Sequence, residues 1–338
     1  MKLKYALATL KAADPVALYK IAQDWRCSVR MHFLFAAERA GLLAALRTPH
    51  TSDELAELLD VRRPEILDAL LDVGLSVGEI AHNNDKYRLR GRRARALAEP
   101  RGDPLAAVIE ANLTYYNAIY RGTPARLRGA PDDDCLDQIG DVVARFSALA
   151  EPMIRDVIGD QVSVDTPLRV LDVGCGTGEY LRTVAALHPE STGVGLEIDP
   201  AVAAHAEDNL RDWELDGRFQ IACGDILDHG DALLGTFQLI TLLNVVYYFA
   251  EDERLPLFRA LRDLLDDGGR LVLVNSMKCR GMDFGAANLN LAVSSMRGCT
   301  PLPVRERLLE QLAAGGFAET MSKKLASQSA FWAIVGKR

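Results

Sequence analysis

The sequence lacks the features of a membrane-spanning protein, of a disulfide-bonded protein and of a metal-binding protein. No apolar run approaches the roughly 20 residues that a membrane-spanning helix needs, and the mean hydropathy is only +0.01. The six cysteines are scattered without C-x-x-C spacing, which predicts free thiols in a reducing cytoplasm. No H-x-x-x-H motif or carboxylate cluster indicates a catalytic metal. Residues 1–11 are basic and apolar without a good cleavage site, so we expect a helix there and not a signal peptide.

Chain length and the distribution of charge limit the number of domains and the class of substrate that we expect. The 338 residues suggest about two domains, and a hydrophobic content of 49% is ample for two cores. Residues 1–100 carry a net charge of +3, whereas the remainder carries −11. Binding to nucleic acid depends on neutralising phosphates, so an acidic main domain disfavours an RNA or DNA substrate. A small molecule fits this charge distribution better.

The most informative segment lies at residues 168–179. An apolar strand runs into a turn that contains Gly174, Gly176 and Gly178, and a helix is predicted at about 179–187. A backbone without Cβ atoms can approach a ligand closely, and the helix presents free N–H groups there. The spacing is G-x-G-x-G, with Asp172 two residues before the first glycine, whereas dinucleotide sites have G-x-G-x-x-G. The turn therefore predicts a nucleotide-like cofactor of another kind.

Further strands follow at regular separations, which predicts an α/β domain. They are expected at 191–199, 219–226, 237–244 and 266–275. Glu197 ends the second strand, where a carboxylate can accept hydrogen bonds from both ribose hydroxyls. Asp199 precedes Pro200 and is predicted to cap the next helix. Asp225 ends the third strand.

These segments resemble the class I S-adenosylmethionine (SAM) dependent methyltransferases, whose first motif is close to the sequence at 171–178. The resemblance extends over about 165–276. It implies a Rossmann-like, doubly wound and mostly parallel seven-stranded sheet with SAM as cofactor, Asp225 bonding the adenine amino group and Ile226 packing on the ring. The implied cofactor-binding residues are Asp172, Gly174, Cys175, Gly176, Gly178, Glu197, Ile198, Gly224, Asp225, Ile226, Asn244 and Phe146.

The first hundred residues show the order of a winged-helix domain. Helices are predicted at 31–46, 51–59 and 63–71, followed by a hairpin at 77–89 around residues 83–85. Such a module can read DNA, and its basic wing would consist of Lys86, Arg88, Arg90, Arg92, Arg93 and Arg95. The would-be recognition helix, however, carries Glu65, Asp68 and Asp72, which face phosphates badly.

The whole chain resembles small-molecule O-methyltransferases in which a winged-helix domain joins two protomers. The resemblance implies a homodimer, with residues 1–100 for dimerisation, 101–160 as a helical linker and active-site roof, and 161–338 for SAM binding and catalysis. Within the linker, helices are predicted at 104–120 and 137–157. The first is rich in tyrosine, and Tyr115 either contacts substrate or packs between domains; Phe146 on the second is implied to lie near the methionine end of SAM.

The expected general base is missing. Phenol O-methyltransferases of this type have a pattern like V-L-H-D-W after the fourth strand, whereas this chain has Tyr248 at the histidine position. Tyrosine has a pKa of about 10 and is a poor base at neutral pH. Tyr247 and Tyr248 therefore either take part in catalysis or only orient the acceptor, and His32 from a partner protomer is a further possibility. The acceptor atom is oxygen on resemblance alone, with carbon and nitrogen as alternatives.

Residues 277–296 are long for a simple connection and are predicted to face the substrate. Met282, Asn288 and Met296 combine apolar walls with an amide there, and ordinary packing is the other interpretation. A helix is predicted at 304–315, and a strand at 330–335 is predicted to close the sheet. The predicted function is methylation of a small metabolite by proximity, without nucleic acid or membrane as partner; a winged-helix DNA-binding regulator that senses SAM is the remaining alternative.

Overall fold

The computed structural model describes residues 14–132, 136–162, 168–228, 235–278, 281, 283–327 and 329–338. Contacts divide the chain into two compact units. The first comprises Met1–Asn117 and Ile139–Ser147, and the second Ala118–Gln138 and Ala148–Arg338. The expected N-terminal helix at 1–11 and the candidate substrate residue Met282 lie outside the described residues.

The first unit has the predicted winged-helix order. Its elements are α1 (Pro15–Arg39), α2 (Leu42–Ala45), α3 (Ser52–Leu58), α4 (Pro64–Val77), β1 (Ile80–Asn83), β2 (Lys86–Leu89), α5 (Arg92–Ala98) and α6 (Asp103–Leu113). Thr51 and Glu54 form a reciprocal capping box before α3. The hairpin turns on Asn84 and Asp85, whose φ angles of 50° and 62° suit a two-residue turn. Phe33, Leu34, Leu43, Leu55 and Leu71 are fully buried in its core.

Four predicted helices are wrong in extent: the one at 63–71 continues to Val77, and the other three are interrupted. The helix expected at 31–46 starts earlier and ends at Arg39, since Gly41 takes a φ of 72° before α2 begins. The helix at 104–120 breaks at Thr114, whose hydroxyl donates to the Glu110 carbonyl; α7 (Tyr115–Arg126) follows. The helix at 137–157 consists of α8 (Leu136–Ser147) and α9 (Glu151–Gly159). Pro152 in the first turn of α9 cannot donate to the preceding helix.

The second unit is built on a seven-stranded sheet with the order β5-β4-β3-β6-β7-β9-β8. The strands are β3 (Arg169–Val173), β4 (Thr192–Glu197), β5 (Phe219–Cys223), β6 (Phe237–Leu243), β7 (Leu265–Ser276), β8 (Glu319–Lys324) and β9 (Phe331–Lys337), and the helices α10 (Glu179–Leu187), α11 (Pro200–Asp212), α12 (Arg254–Asp263), α13 (Phe284–Val293) and α14 (Arg305–Ala314). β9 is antiparallel to both of its neighbours, β7 and β8, whereas β3 to β7 pair with one another in parallel. The predicted fold class is therefore confirmed, including Asp199 as the cap of α11.

Two details of this sheet differ from expectation. The sequence predicts one strand after residue 276, at 330–335, whereas the structure has two: β9 lies inside the sheet, and β8 forms its edge. Polar residues in Glu319–Lys324 hide the alternation that marks a strand, because an edge strand has little apolar surface to bury. Of the helices the structure describes, none has the length and apolar character to cross a membrane.

The strand order determines where a ligand can bind. β3 lies at the centre of the parallel strands, with β4 on one side and β6 on the other. The chain passes from β3 to β4 on one side of the sheet and from β6 to β7 on the other side. In doubly wound sheets, a ligand-binding crevice lies at the carboxyl ends of two adjacent strands whose connections diverge in this way. Buried clusters on both faces, centred on Ile240 and Val272, hold this edge in place.

Candidate active site at the carboxyl edge of the sheet

The glycine turn follows β3 at this edge. Gly174 has a φ of 68°, and a Cβ built on it would lie 2.7 Å from Cγ2 of Val245, so packing and backbone conformation both require glycine. Gly176 has a φ of 53°, but a Cβ there would meet nothing within 4 Å. The turn thus packs closely against the segment after β6 at Gly174 and leaves open space above Gly176.

Glu197, the last residue of β4, is bonded to this turn. Its Oε2 accepts from the Gly176 N–H at 3.0 Å, and its Oε1 accepts from the N–H of Ile198 at 2.9 Å. The N–H groups of Gly174 and Cys175 both donate to the Leu196 carbonyl. These bonds join the ends of β3 and β4 into one framework. The Cys175 thiol is buried, and burial raises its pKa, so it packs here as a neutral group.

Asp172 is a buried carboxyl group directly beneath the turn. It is 1% exposed; one oxygen accepts from the Thr241 hydroxyl at 2.6 Å, whereas Oδ2 has no hydrogen-bond partner among the described residues. Burial, together with the charge of Glu197, raises the pKa of Asp172 to about 7, while the Thr241 hydrogen bond opposes this rise. An orphaned carboxylate oxygen in a buried position is an acceptor ready for a cationic or N–H-bearing ligand group.

The end of β5 is the third strand end of this candidate site, and it adjoins Glu197 at the end of β4. The Gly224 N–H donates to the Glu197 carbonyl at 2.9 Å, and the Asp225 carboxylate accepts from the Leu227 N–H. Ile226 begins a short 3-10 turn and is buried in the core, whereas Ile198 is 67% exposed. The segments that follow β4 and β5 therefore carry an exposed apolar side chain and an acceptor carboxylate, respectively.

The segment after β6 supplies the remaining predicted residues. Asn244 adopts a φ of 58°, an uncommon conformation that asparagine tolerates, and its N–H donates to the Val274 carbonyl at 2.7 Å. A 3-10 turn at Val246–Tyr248 follows. The rings of Tyr247 and Tyr248 lie 4.8 Å apart. Tyr248 is 44% exposed, yet crowding by protein raises its pKa to about 12.

Two residues that the sequence did not single out hold this turn. Arg254 is 5% exposed and donates to the Phe249 carbonyl and to the Thr300 hydroxyl at 3.2 and 3.1 Å. The Thr300 N–H donates to the Tyr247 carbonyl at 2.7 Å. Arg254 is the first residue of a polar helix start, a common pattern that does not indicate a buried role. Thr241 had a sequence signal: it is the polar residue in an apolar strand, directly paired with Asp172 in the register.

The predicted substrate-facing insertion contributes α13. Ala286 and Val293 of this helix form a small buried cluster with Leu302 and Ala330, and Tyr247 packs against that cluster. Asn288 is half-buried on the same helix, and Met296 is 5% exposed beyond its end. The structure thus brings Tyr247 against the helix that carries Asn288.

Two predicted site residues belong to the first unit. Tyr115 is buried with its ring 4.2 Å from that of Tyr116, and Phe146 is 39% exposed on α8. Their predicted contacts with acceptor and cofactor stay predictions. His32 is exposed, and its Nδ1 lies 2.8 Å from the Ser28 carbonyl of the same helix. No group of three metal-ligating side chains occurs in the part of the chain that the structure describes.

Comparison with known proteins agrees with this geometry. Residues 171–271 match a family model described as a methyltransferase domain. A tRNA1(Val) (adenine(37)-N6)-methyltransferase of Porphyromonas gingivalis is 28% identical over 45% of this chain and 68% of its own length. Demethylspheroidene O-methyltransferase of Rhodobacter capsulatus is 30% identical over 52% of this chain, which spans only 43% of that protein.

A solved structure matches nearly the whole chain. Human N-acetylserotonin methyltransferase in complex with SAM superposes with a TM-score of 0.74, covering 96% of this chain and 98% of the human protein at 14% identity. At that identity the likeness concerns the fold. Residues 171–271 form a class I methyltransferase domain. This methyltransferase domain contains Asp172, the glycine turn, Glu197, Asp225 and Asn244, and the class predicted from the sequence is confirmed.

Replacing Asp172 by Asn should remove a pH dependence of folding. The pKa of about 7 in the folded protein lies above the value of about 3.9 in an unfolded chain. The protonated carboxyl group therefore favours folding fully below about pH 4, and this contribution, on the order of 4 kcal/mol, is lost as the pH rises to about 7. Urea denaturation between about pH 4 and 8 measures it.

The free energy of unfolding of the wild type minus that of D172N should fall with pH and level off above about pH 7. The exposed Asp216→Asn serves as the control, with no comparable trend. A flat difference for D172N would show that Asp172 stays ionised throughout this range.

Proposed function

We propose that this chain is a SAM-dependent methyltransferase acting on a small-molecule metabolite. The observation that carries the proposal is the Glu197 carboxylate held by the Gly176 and Ile198 N–H groups, beside an orphaned Asp172 oxygen. A carboxylate at the end of the second strand is the acceptor that a ribose diol requires. The buried Asp172 oxygen suits an ammonium group, and the open space above Gly176 admits a ligand. These groups match the parts of SAM.

The residues proposed to hold SAM are those at the carboxyl ends of β3, β4 and β5 and just beyond β6. Asp225 and the exposed Ile198 stand where an adenine would need an acceptor and an apolar contact, and Gly178, Cys175, Gly224, Ile226 and Asn244 complete the surrounding backbone. When bound, SAM supplies an electrophilic methyl group on a sulfonium. The protein has to align the acceptor with that methyl and exclude water, and positioning of this kind can lower a barrier by about 7–11 kcal/mol.

Acceptor positioning is proposed for Tyr247 and Tyr248. A pKa of about 12 keeps the Tyr248 hydroxyl protonated at neutral pH, so it can donate a hydrogen bond but cannot act as base. Asn288 and Met296 are proposed to contact the acceptor from α13 and the segment after it. The acceptor is then an oxygen that ionises readily or already carries charge, with a carbon or nitrogen nucleophile as the alternative.

A second protomer is proposed to cover α1. Its exposed side chains include Leu18 (44%), Ile21 (64%) and Trp25 (71%), which recur along one face of the helix. Apolar side chains that recur on one exposed helix face mark an interaction surface. We therefore propose that residues 1–100 form a homodimer and that residues 161–338 bind SAM and catalyse, in the cytoplasm, where Cys27 and Cys223 stay reduced. The acidic α4 face with Glu65, Asp68 and Asp72 disfavours the alternative of a DNA-binding regulator.

Glu197→Ala should weaken binding of SAM and of its demethylated product by about 1–3 kcal/mol, because a charged hydrogen bond to the ribose is lost. Isothermal titration of both ligands measures this change. Glu207→Ala, which removes an exposed carboxylate from α11, is the control and should bind normally. Binding of NAD by the wild type, with no binding of SAM or its product, would refute the proposed cofactor.

Tyr248→Phe should keep most of the turnover once an acceptor has been found by screening metabolites for release of the demethylated product. The substitution removes about one hydrogen bond, worth roughly 0.5–1.5 kcal/mol. The rate should also show no ionisation of Tyr248 below about pH 9, because its pKa is about 12. A loss of about a thousandfold, near 4 kcal/mol, would mean that the hydroxyl carries acid–base chemistry.

Light scattering should give twice the chain mass of 37.0 kDa at micromolar concentration. The double variant Ile21→Glu and Trp25→Glu should shift the mass to that of one chain, because two charges would be buried in an apolar interface. Ala69→Glu adds charge on an exposed position of α4 and should leave the mass unchanged. A wild-type chain of single mass would contradict the dimer.

A further inference from the structure

The basic residues of the wing fall into two groups. Lys86 pairs with Glu54 at 3.5 Å, and Arg93 pairs with the buried Glu79 at 3.2 Å. The charges of these two side chains are therefore neutralised by carboxylates of the first unit. In contrast, Arg88, Arg90, Arg92 and Arg95 form no ion pair with a carboxylate of the described residues, although Arg88 Nη2 can donate to the Asn83 amide oxygen at 3.2 Å. Three of these four arginines, Arg88, Arg90 and Arg95, line one concave region of the surface.

Arg88 and Arg95 line a cavity of about 450 Å³, and Arg47 joins them from the loop after α2. A second cavity of about 280 Å³ shares Arg88 and Arg95 and adds Arg90. Leu46 and Leu89 form part of the lining of the larger one. Four guanidinium groups thus border two cavities that share a wall, in a chain whose net charge is −8.

The framework of this cleft is rigid. Leu46 is 1% exposed, and Ala94 and Leu97 anchor α5 in the core. The loop that carries Arg47 is fixed to β2 by a pair of backbone hydrogen bonds between His50 and Tyr87, at 3.1 and 2.7 Å. Arg88 and Arg95 stand on β2 and α5, which are regular elements. Their guanidinium groups are consequently presented from fixed backbone positions.

Guanidinium groups match the oxygens of phosphate in pairs of hydrogen bonds, and several of them around one cavity favour a compact polyanion. Glu99 also lines the larger cavity, and its negative charge disfavours a long, uniformly charged polymer at that wall. The exposed carboxylates of Asp68 and Asp72 on α4 oppose a nucleic-acid backbone on the same module. A small ligand suits these charges better than DNA does.

We propose that the cleft bordered by Arg47, Arg88, Arg90 and Arg95 binds a small ligand through a phosphate or diphosphate group. The site lies within the first unit and shares no residue with the proposed SAM site. It gives the winged-helix module a role besides dimerisation. Inorganic pyrophosphate is the simplest probe, since it carries the recognised group and nothing else.

Isothermal titration of the full chain with pyrophosphate at about 150 mM salt tests the proposal. The wild type should bind with a dissociation constant of about 1 mM or below. The double variant Arg88→Gln and Arg95→Gln should weaken binding about tenfold or more, because charge-assisted hydrogen bonds are lost. Arg92→Gln removes one positive charge, against two in the double variant, from a part of the wing outside both cavities, and should change binding less than about twofold. An unchanged far-ultraviolet circular dichroism spectrum and an unchanged urea unfolding curve show that each variant is folded.

The results that overturn the proposal are distinct. Absence of pyrophosphate binding by the wild type would refute it, as would an equal loss in Arg92→Gln, which would mean that only the general charge matters. Titration with a short DNA duplex distinguishes the sources of phosphate. Tighter binding of the duplex than of pyrophosphate, weakened equally by all three arginine substitutions, would make this surface a nucleic-acid site and refute the small ligand.

Discussion

The carboxyl edge of the parallel sheet depends on the hydrogen bonds that join the ends of β3 and β4. The Leu196 carbonyl receives the N–H groups of Gly174 and Cys175, and the Glu197 carboxylate receives that of Gly176. This arrangement turns three consecutive residues of a flexible glycine turn into a fixed surface. Asp172 is buried beneath this surface, and burial disfavours its ionised form and raises its pKa. Ionisable groups with perturbed pKa values are concentrated at functional sites. The shape of the edge therefore exists before any ligand arrives, and less ordering entropy is lost on binding.

Much of this unit could be predicted because its signals are local. The strand at 169–173, the glycine turn, the acidic end of β4 and the cap Asp199 follow from apolar runs and from residue types with one conformational use. The helix interruptions at Gly41, Thr114 and Pro152 were missed, since each depends on which of two acceptable local states the tertiary structure selects. β8 was missed because an edge strand carries no apolar alternation.

The side chains that hold the proposed acceptor side depend on contacts distant in sequence. Arg254 and Thr300 are 46 positions apart, and both contact the turn that carries Tyr247. Among the described residues, the buried Arg254 side chain donates to carbonyl and hydroxyl oxygens and pairs with no carboxylate, an arrangement that has no sequence signature. It does, however, explain how a turn without the usual histidine keeps a defined shape. The two tyrosines are consequently presented by a scaffold, and their rings are oriented before a substrate binds.

The outer strand β8 has a consequence for the behaviour of the protein in concentrated solution. A sheet edge exposes unpaired N–H and C=O groups, to which a strand of another molecule can add. Here the edge ends in Lys323 and Lys324; Lys323 is paired with Asp160 at 3.6 Å, and Lys324 lies over the Trp332 ring. Adding a second copy in parallel register, as in many fibrils, would place each lysine beside the same lysine of the neighbouring chain, where like charges repel. The lysines of the edge strand β8, which the sequence pattern did not predict, thus disfavour fibrillar association.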